Sequence, residues 1–122
     1  VVAGADASFR GFSVTMPGKF AALAVATDRT DRARLIGSAN TLVRSGDGWR
    51  ADNTDCDGVT GAIRTLFDAP SPQLGTAVII GAGGTARPAL WALAELGVSH
   101  VTSRLISSPM TTLYPPPAQP RT

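Results

Sequence analysis

Ala77-Val78-Ile79-Ile80-Gly81-Ala82-Gly83-Gly84-Thr85-Ala86 decides how the chain is read, because it joins an apolar β-branched run to a glycine turn and leads into helix formers from Arg87 to Leu96. A short apolar run bounded by glycines reads as a buried parallel strand. Leu90, Leu93, Ala94 and Leu96 give the following helix a packing face, and Gly97 supplies its stop. Val98 to Thr102 starts the next strand, so the segment predicts half of a β-α-β dinucleotide unit. In that setting the glycines let backbone amides approach a pyrophosphate, and the helix N-terminus adds partial positive charge without a lysine. A plain strand-to-helix turn would use glycine too; the strand before it and the helix after it favour the phosphate site.

Upstream, Phe12 to Thr15 reads as a short extended segment, since Pro17 disfavours helix at the residue before it. Pro17 suits a first helical turn, and a helix is expected from there to about Ala26, with Phe20, Leu23 and Ala24 at helical spacing. Asp31 is expected to cap a shorter helical turn through Leu35 and Ile36, which Gly37-Ser38 breaks. Asn40 to Arg44 and Trp49 to Asn53 read as two strands of a hairpin closed by Ser45-Gly46-Asp47-Gly48. A helix is expected from Asp57 to Phe67, with Val59, Ile63, Leu66 and Phe67 on one face and Asp55 or Asp57 serving its first donors. Past Thr102 periodicity fades, and Tyr114-Pro115-Pro116-Pro117-Ala118-Gln119-Pro120 is biased to polyproline. A disordered tail is expected there, in preference to an SH3-type ligand.

With 122 residues, 43% of them hydrophobic, the chain has material for one compact domain of roughly 100 to 150 residues but not for two complete ones. Eleven Lys plus Arg against nine Asp plus Glu give a formal charge of +2, and the basic residues are scattered, which argues against nucleic acid as a partner. Cys56 is the single cysteine, so no internal disulfide is expected, no metal-ligand spacing is present and a cytoplasmic setting fits. No apolar run is long enough for a membrane span, and the first residues, Val1-Val2-Ala3-Gly4-Ala5-Asp6, do not resemble a signal peptide. The chain begins without Met, which suggests that the true start is missing.

Lys19 stands near the start of a helix, where an amine can face a cleft; a solvated surface lysine is the ordinary alternative. Asp55 likewise has a plain alternative as a helix cap, although a cap can leave one carboxylate oxygen for other work. An amine and a carboxylate near one hydroxyl can exchange the proton that accompanies hydride transfer to or from a carbon-bound oxygen, and which of the two holds it stays open. Thr15 and Asn40 sit where strands meet turns and can contact hydroxyls, though both residue types close turns often. Cys56 lies between Asp55 and Asp57, a setting that opposes a nucleophilic thiolate. His100 has no partner at catalytic spacing and reads as a surface histidine.

Taken in order, Gly11-Phe12-Ser13-Val14-Thr15-Met16-Pro17-Gly18-Lys19, Ile36-Gly37-Ser38-Ala39-Asn40-Thr41-Leu42-Val43 and Asp52-Asn53-Thr54-Asp55-Cys56-Asp57-Gly58 resemble the signature blocks of shikimate dehydrogenases. The likeness covers about Gly11 to Thr102, with the glycine turn where that family opens its NADP domain. It implies an α/β fold: residues 1–68 as a partial substrate-binding domain, 73–104 as the first β-α-β of a Rossmann-like NADP-binding domain, and 105–122 as the Pro-rich tail. It implies a cytoplasmic enzyme of aromatic amino-acid biosynthesis that reversibly reduces 3-dehydroshikimate to shikimate with NADPH, with a homodimer as the expected full-length assembly. Lys19 and Asp55 would be the catalytic pair and would also bind substrate. Thr15 and Asn40 would hold substrate hydroxyls. Gly81, Ala82, Gly83, Gly84, Thr85 and Ala86 would line the cofactor, with Arg104 toward its 2′-phosphate.

The chain also departs from that pattern. The resemblance places the family's pair of serines that hold the substrate carboxylate upstream of Val1, and its glutamine that reaches substrate in a later half of the cofactor domain that is expected to be missing here. On an unbroken register Leu105-Ile106 stand where the family carries an Asn-Arg-like pair, so Arg104 fits that role only with a shift of two residues. The change of character after Thr102 suggests a truncated or frame-shifted reading of a longer gene. A fragment with little turnover of its own, exposed strand edges and poor solubility is therefore expected. A relative acting on quinate, or a non-catalytic module binding a nucleotide or polyhydroxy acid, is the alternative.

Overall fold

The computed structural model describes residues 2–104 and 111–113. They fall into two compact units, Val1–Thr54 and Asp55–Thr122, each an α/β assembly around its own sheet.

In the first unit a 3-10 turn, Val2–Gly4, precedes strand β1 (Gly11–Ser13), helix α1 (Lys19–Val25), strand β2 (Asp28–Arg29), helix α2 (Asp31–Ile36) and strands β3 (Thr41–Ser45) and β4 (Gly48–Asp52). The strands lie in the order β1-β3-β4-β2, with β1 and β4 antiparallel to β3 and β2 parallel to β4. The expected hairpin is present: Ser45 pairs with Gly48, so Gly46-Asp47 alone make the turn. Alternation places Leu42, Trp49 and Ala51 on the buried face, where they form a core with Ala22 and Ala26 of α1 and its end. Phe12 packs on Trp49 with ring centroids 5.1 Å apart, and the Arg44 guanidinium lies 4.0 Å over the same indole. Arg44 also donates to the carbonyls of Ala5 and Asp6, tying the first residues to β3.

Helix α1 starts at Lys19, after a turn containing the cis Met16–Pro17 bond, so Pro17 stands outside the helix it was expected to open. Thr30, not Asp31, caps α2: its hydroxyl accepts from the Ala33 N–H, because the cap position is the extended residue before the first helical one. The helix closes at Gly37, whose φ of 77° is the left-handed conformation that glycine adopts without a Cβ penalty.

The second unit holds helix α3 (Asp55–Leu66), strand β5 (Thr76–Ile80), helix α4 (Ala86–Glu95) and strands β6 (His100–Arg104) and β7 (Thr111–Leu113). Strands β5 and β6 are parallel, with α4 as their crossover, so the expected β-α-β unit is present. Leu93, Val98 and Val101 form its core, with Ile63, Leu74, Ala77, Ile79 and Leu90 packed around them. Helix α3 packs in the second unit, against α4.

Three expectations differ from what is observed. Leu66 and Phe67 are exposed while Ile63 faces the core, because the face of α3 that meets the core is narrower than its apolar stripe. Strand β5 is not buried on both faces: Val78 is 68% exposed and Ile80 78%, since α3 and α4 are the only helices of the unit among the described residues and Ala77 and Ile79 take the packed side. Within the expected tail, Thr111–Leu113 pairs antiparallel with β6; residues 105–110 and 114–122, including Leu105, Ile106 and the polyproline stretch, lie outside the described residues. His100 is the exposed first residue of β6, and Cys56 is buried in the first turn of α3. No helix among the described residues is long and apolar enough to cross a membrane.

Candidate functional site

Backbone hydrogen bonds gather the first unit's candidates at one end of its sheet. The Val14 N–H donates to the Asn40 carbonyl at 2.7 Å, which sets Thr15, the next residue, beside the start of β3. The Ala39 N–H donates to the Lys19 carbonyl at 3.0 Å, drawing the first residue of α1 to the same loop. The Asn40 N–H donates to the Asp52 carbonyl at 3.1 Å, which brings in the end of β4 and with it Asn53 and Thr54. Asn40, more than twenty residues downstream, is thereby brought to the segment that carries Thr15 and Lys19.

The Asn40 side chain joins two of these segments. Its Oδ1 accepts from the Thr54 N–H at 2.9 Å and from the Thr41 hydroxyl at 2.9 Å, and its Nδ2 donates to Thr54 Oγ1 at 3.0 Å. The carbonyl end of the amide therefore faces Thr54 and Thr41, and the side chain is fixed in one orientation before any ligand arrives. Beneath it, Asn53 is fully buried and donates from Nδ2 to the Ser38 carbonyl at 3.0 Å and hydroxyl at 3.2 Å. This pins the Gly37–Asn40 loop to the segment that leads into α3.

Asp52 locks the same corner from the other side. Arg32 grips it with Nε on Oδ1 at 2.7 Å and Nη2 on Oδ2 at 2.6 Å, a bidentate pair whose side chains are 27% and 24% exposed. The Thr30 hydroxyl adds a bond to Oδ1 at 2.7 Å and the Asn53 N–H another at 2.8 Å. The Arg32 guanidinium, ahead of these other donors, holds the Asp52 carboxyl down at about 2, against an ordinary value of 3.8. A carboxyl lowered on folding stabilises the fold above its unfolded value and loses that contribution as pH falls toward its folded one. The first unit is therefore expected to lose about 1–2 kcal/mol between pH 4 and pH 2 through this group, after allowance for solvent screening. Urea midpoints followed by Trp49 fluorescence in a Trp91→Phe background would show it; the same slope in Asp52→Asn would assign the loss elsewhere.

Lys19 opens α1 in the first unit, and Asp55, the residue after Thr54, opens α3 in the second. Thr54, Thr41, Asn53, Ser38, Asp52 and Arg32 were not singled out from sequence as builders of this corner. The Thr30-to-Ala33 cap was the clearest local signal; apart from the adjacent-residue bonds Thr41 to Asn40 and Asn53 to Asp52, the other bonds span 13 residues or more.

In the second unit, Gly81 takes φ +117°, a conformation closed to side-chain-bearing residues, and the chain turns from β5 into α4. The Gly81 N–H donates to the Arg104 carbonyl at 2.8 Å, so Arg104, exposed at the end of β6, lies beside the turn. The Ala86 N–H is taken by the Gly83 carbonyl, whereas the N–H groups of Ala82, Gly83, Gly84 and Thr85 meet no acceptor among the described residues. A Cβ placed on Gly83 would meet nothing within 4 Å. Unpaired amides at an open turn, ahead of a ten-residue helix, fit the phosphates of a dinucleotide. Among the described residues no group of His, Cys, Asp and Glu is placed to hold a metal ion.

Three comparisons bear on this arrangement. Residues 1–42 match the family described as shikimate dehydrogenase substrate binding domain. A shikimate dehydrogenase (NADP(+)) of Cereibacter sphaeroides is 48% identical over 94 residues, covering 76% of this chain and 34% of that protein. The crystal structure of Mycobacterium tuberculosis shikimate dehydrogenase aligns with a TM-score of 0.74 at 53% identity, over 88% of this chain and 38% of that one. A Thermus thermophilus shikimate 5-dehydrogenase in complex with NADP(H) and shikimate aligns with a TM-score of 0.72 at 33% identity, over 83% of this chain and 37% of that one. The chain thus spans little more than a third of the length of the relatives it matches.

Proposed function

Because the chain belongs to the shikimate dehydrogenase family, we propose that it carries the catalytic segments and the first half of the cofactor site of an NADP-dependent enzyme that interconverts 3-dehydroshikimate and shikimate in the cytoplasm. The observation that carries the reading is the assembly of Thr15, Lys19 and Asn40 at one end of the first sheet by backbone bonds that link Asn40 and Ala39 with Val14, just past β1, with Lys19 of α1 and with Asp52 of β4. Thr15 and Asn40 bind hydroxyls of the substrate ring. Lys19 and Asp55 exchange the proton at the reacting oxygen: reduction of the ketone takes up one proton, and oxidation of the alcohol releases one. NADPH supplies the hydride when bound. The backbone amides of Ala82, Gly83, Gly84 and Thr85 hold its pyrophosphate, Gly81 and Ala86 line the turn that presents them, and Arg104 serves its ribose phosphate.

The test replaces the matching 94-residue stretch of the Cereibacter sphaeroides relative with that of this chain. The chimera is expected to reduce NADP with shikimate. A folded chimera without shikimate-dependent reduction would sink the reading, and a preference for quinate would move it to the sister substrate. The chain alone is expected to bind NADPH saturably in a calorimeter with little turnover.

A further inference from the structure

Both peptide groups of Gly81 are held by β6. Its N–H donates to the Arg104 carbonyl at 2.8 Å, one residue beyond the Ile80–Arg104 pair of the parallel ladder. Its carbonyl accepts from the Ser103 hydroxyl at 2.9 Å, a side chain only 6% exposed. Among the described residues that hydroxyl is the donor the Gly81 carbonyl meets. The Gly81–Ala82 peptide is trans, and in a trans peptide the carbonyl and the following N–H point in opposite directions. Anchoring the Gly81 carbonyl on β6 therefore turns the Ala82 N–H outward from β6. That N–H meets no acceptor among the described residues. Glycine offers little steric resistance to rotation of the peptide that follows it, so a hydrogen bond has to choose the orientation.

We propose that Ser103 is a positioning residue for the dinucleotide site: its hydroxyl fixes the Gly81–Ala82 peptide plane and so presents the Ala82 N–H to a pyrophosphate oxygen. This rests on the cofactor reading above. A serine that only satisfied a buried carbonyl would affect stability; one that orients the amide also sets affinity for the anion. Removing the hydroxyl frees the carbonyl to swing toward the phosphates, where a negative dipole opposes binding.

The experiment uses the 122-residue chain, with NADPH titrated by its fluorescence and inorganic pyrophosphate by amide shifts in nitrogen-15 spectra. Ser103→Ala is expected to weaken both ligands about tenfold and to move the Ala82 amide resonance before any ligand is added. Ser103→Thr, which keeps the hydroxyl, is expected to restore both. Unchanged affinity in Ser103→Ala, an unmoved Ala82 resonance, or failure of threonine to restore binding overturns the proposal while leaving the cofactor reading in place. If the unsubstituted chain binds neither NADPH nor pyrophosphate, the cofactor reading itself fails and the proposal falls with it. Should Ser103→Ala not fold, Ser103→Cys, similar in size but a poor donor, replaces it with the same expected and overturning results.

Discussion

In the chimera with the Cereibacter sphaeroides relative, Lys19→Ala is expected to lower kcat for shikimate oxidation by about 10²–10⁴-fold, the range that one positioned proton-transfer group contributes. Asp55→Asn is expected to fall in the same range. If the two residues handle a single proton between them, the double substitution loses little more than the worse single one, because groups acting as a unit do not contribute additively. KM should move less than kcat, since Thr15 and Asn40, proposed to bind substrate hydroxyls alongside the pair, are left in place. Losses that multiply in the double variant, or a change confined to KM, would make Lys19 and Asp55 independent binding groups and leave proton transfer without an agent. Steady-state kinetics with shikimate and NADP decide between these outcomes.

Asn53→Ala is expected to cost the first unit about 2–4 kcal/mol. The side chain is fully buried, and its amide serves both the carbonyl and the hydroxyl of Ser38, itself fully buried. Truncation removes those bonds, strands the Ser38 acceptors away from water and opens a void. In an assembly of about fifty residues, whose total stability is of the order of a few kcal/mol, such a loss unfolds much of the population. Urea denaturation followed by Trp49 fluorescence measures it. A shift below about 1 kcal/mol would show that the Gly37–Asn40 loop is held by its backbone bonds alone.

Sequence reading reached the elements whose signals are local. The hairpin was legible because Gly46 and Asp47 close it between β-formers, and the β-α-β unit because Val78 to Ile80, Gly81 and Gly97 punctuate it. What escaped depends on distant partners. Strand β2 is two residues long and exists only because β4 lies parallel to it. The Arg32–Asp52 pair joins residues 20 apart, and nothing near either one announces the other. Apolar periodicity marked Leu66 and Phe67 as packed, yet a helix can carry a wider apolar stripe than its neighbours cover. Resemblance supplied Thr15, Lys19, Asn40 and Asp55 as candidates, but not the buried Asn53 and Ser38 that hold the loop behind Asn40. Such supports depend on register and burial, and these emerge only when the strands pair.

The main-chain hydrogen of Thr54 is secured by the Asn40 side chain, fourteen positions away, and not by a ladder. Its exchange with deuterated solvent accordingly serves as a clock for opening of that corner, ticking independently of global unfolding whenever the amide of Asn40 lets go.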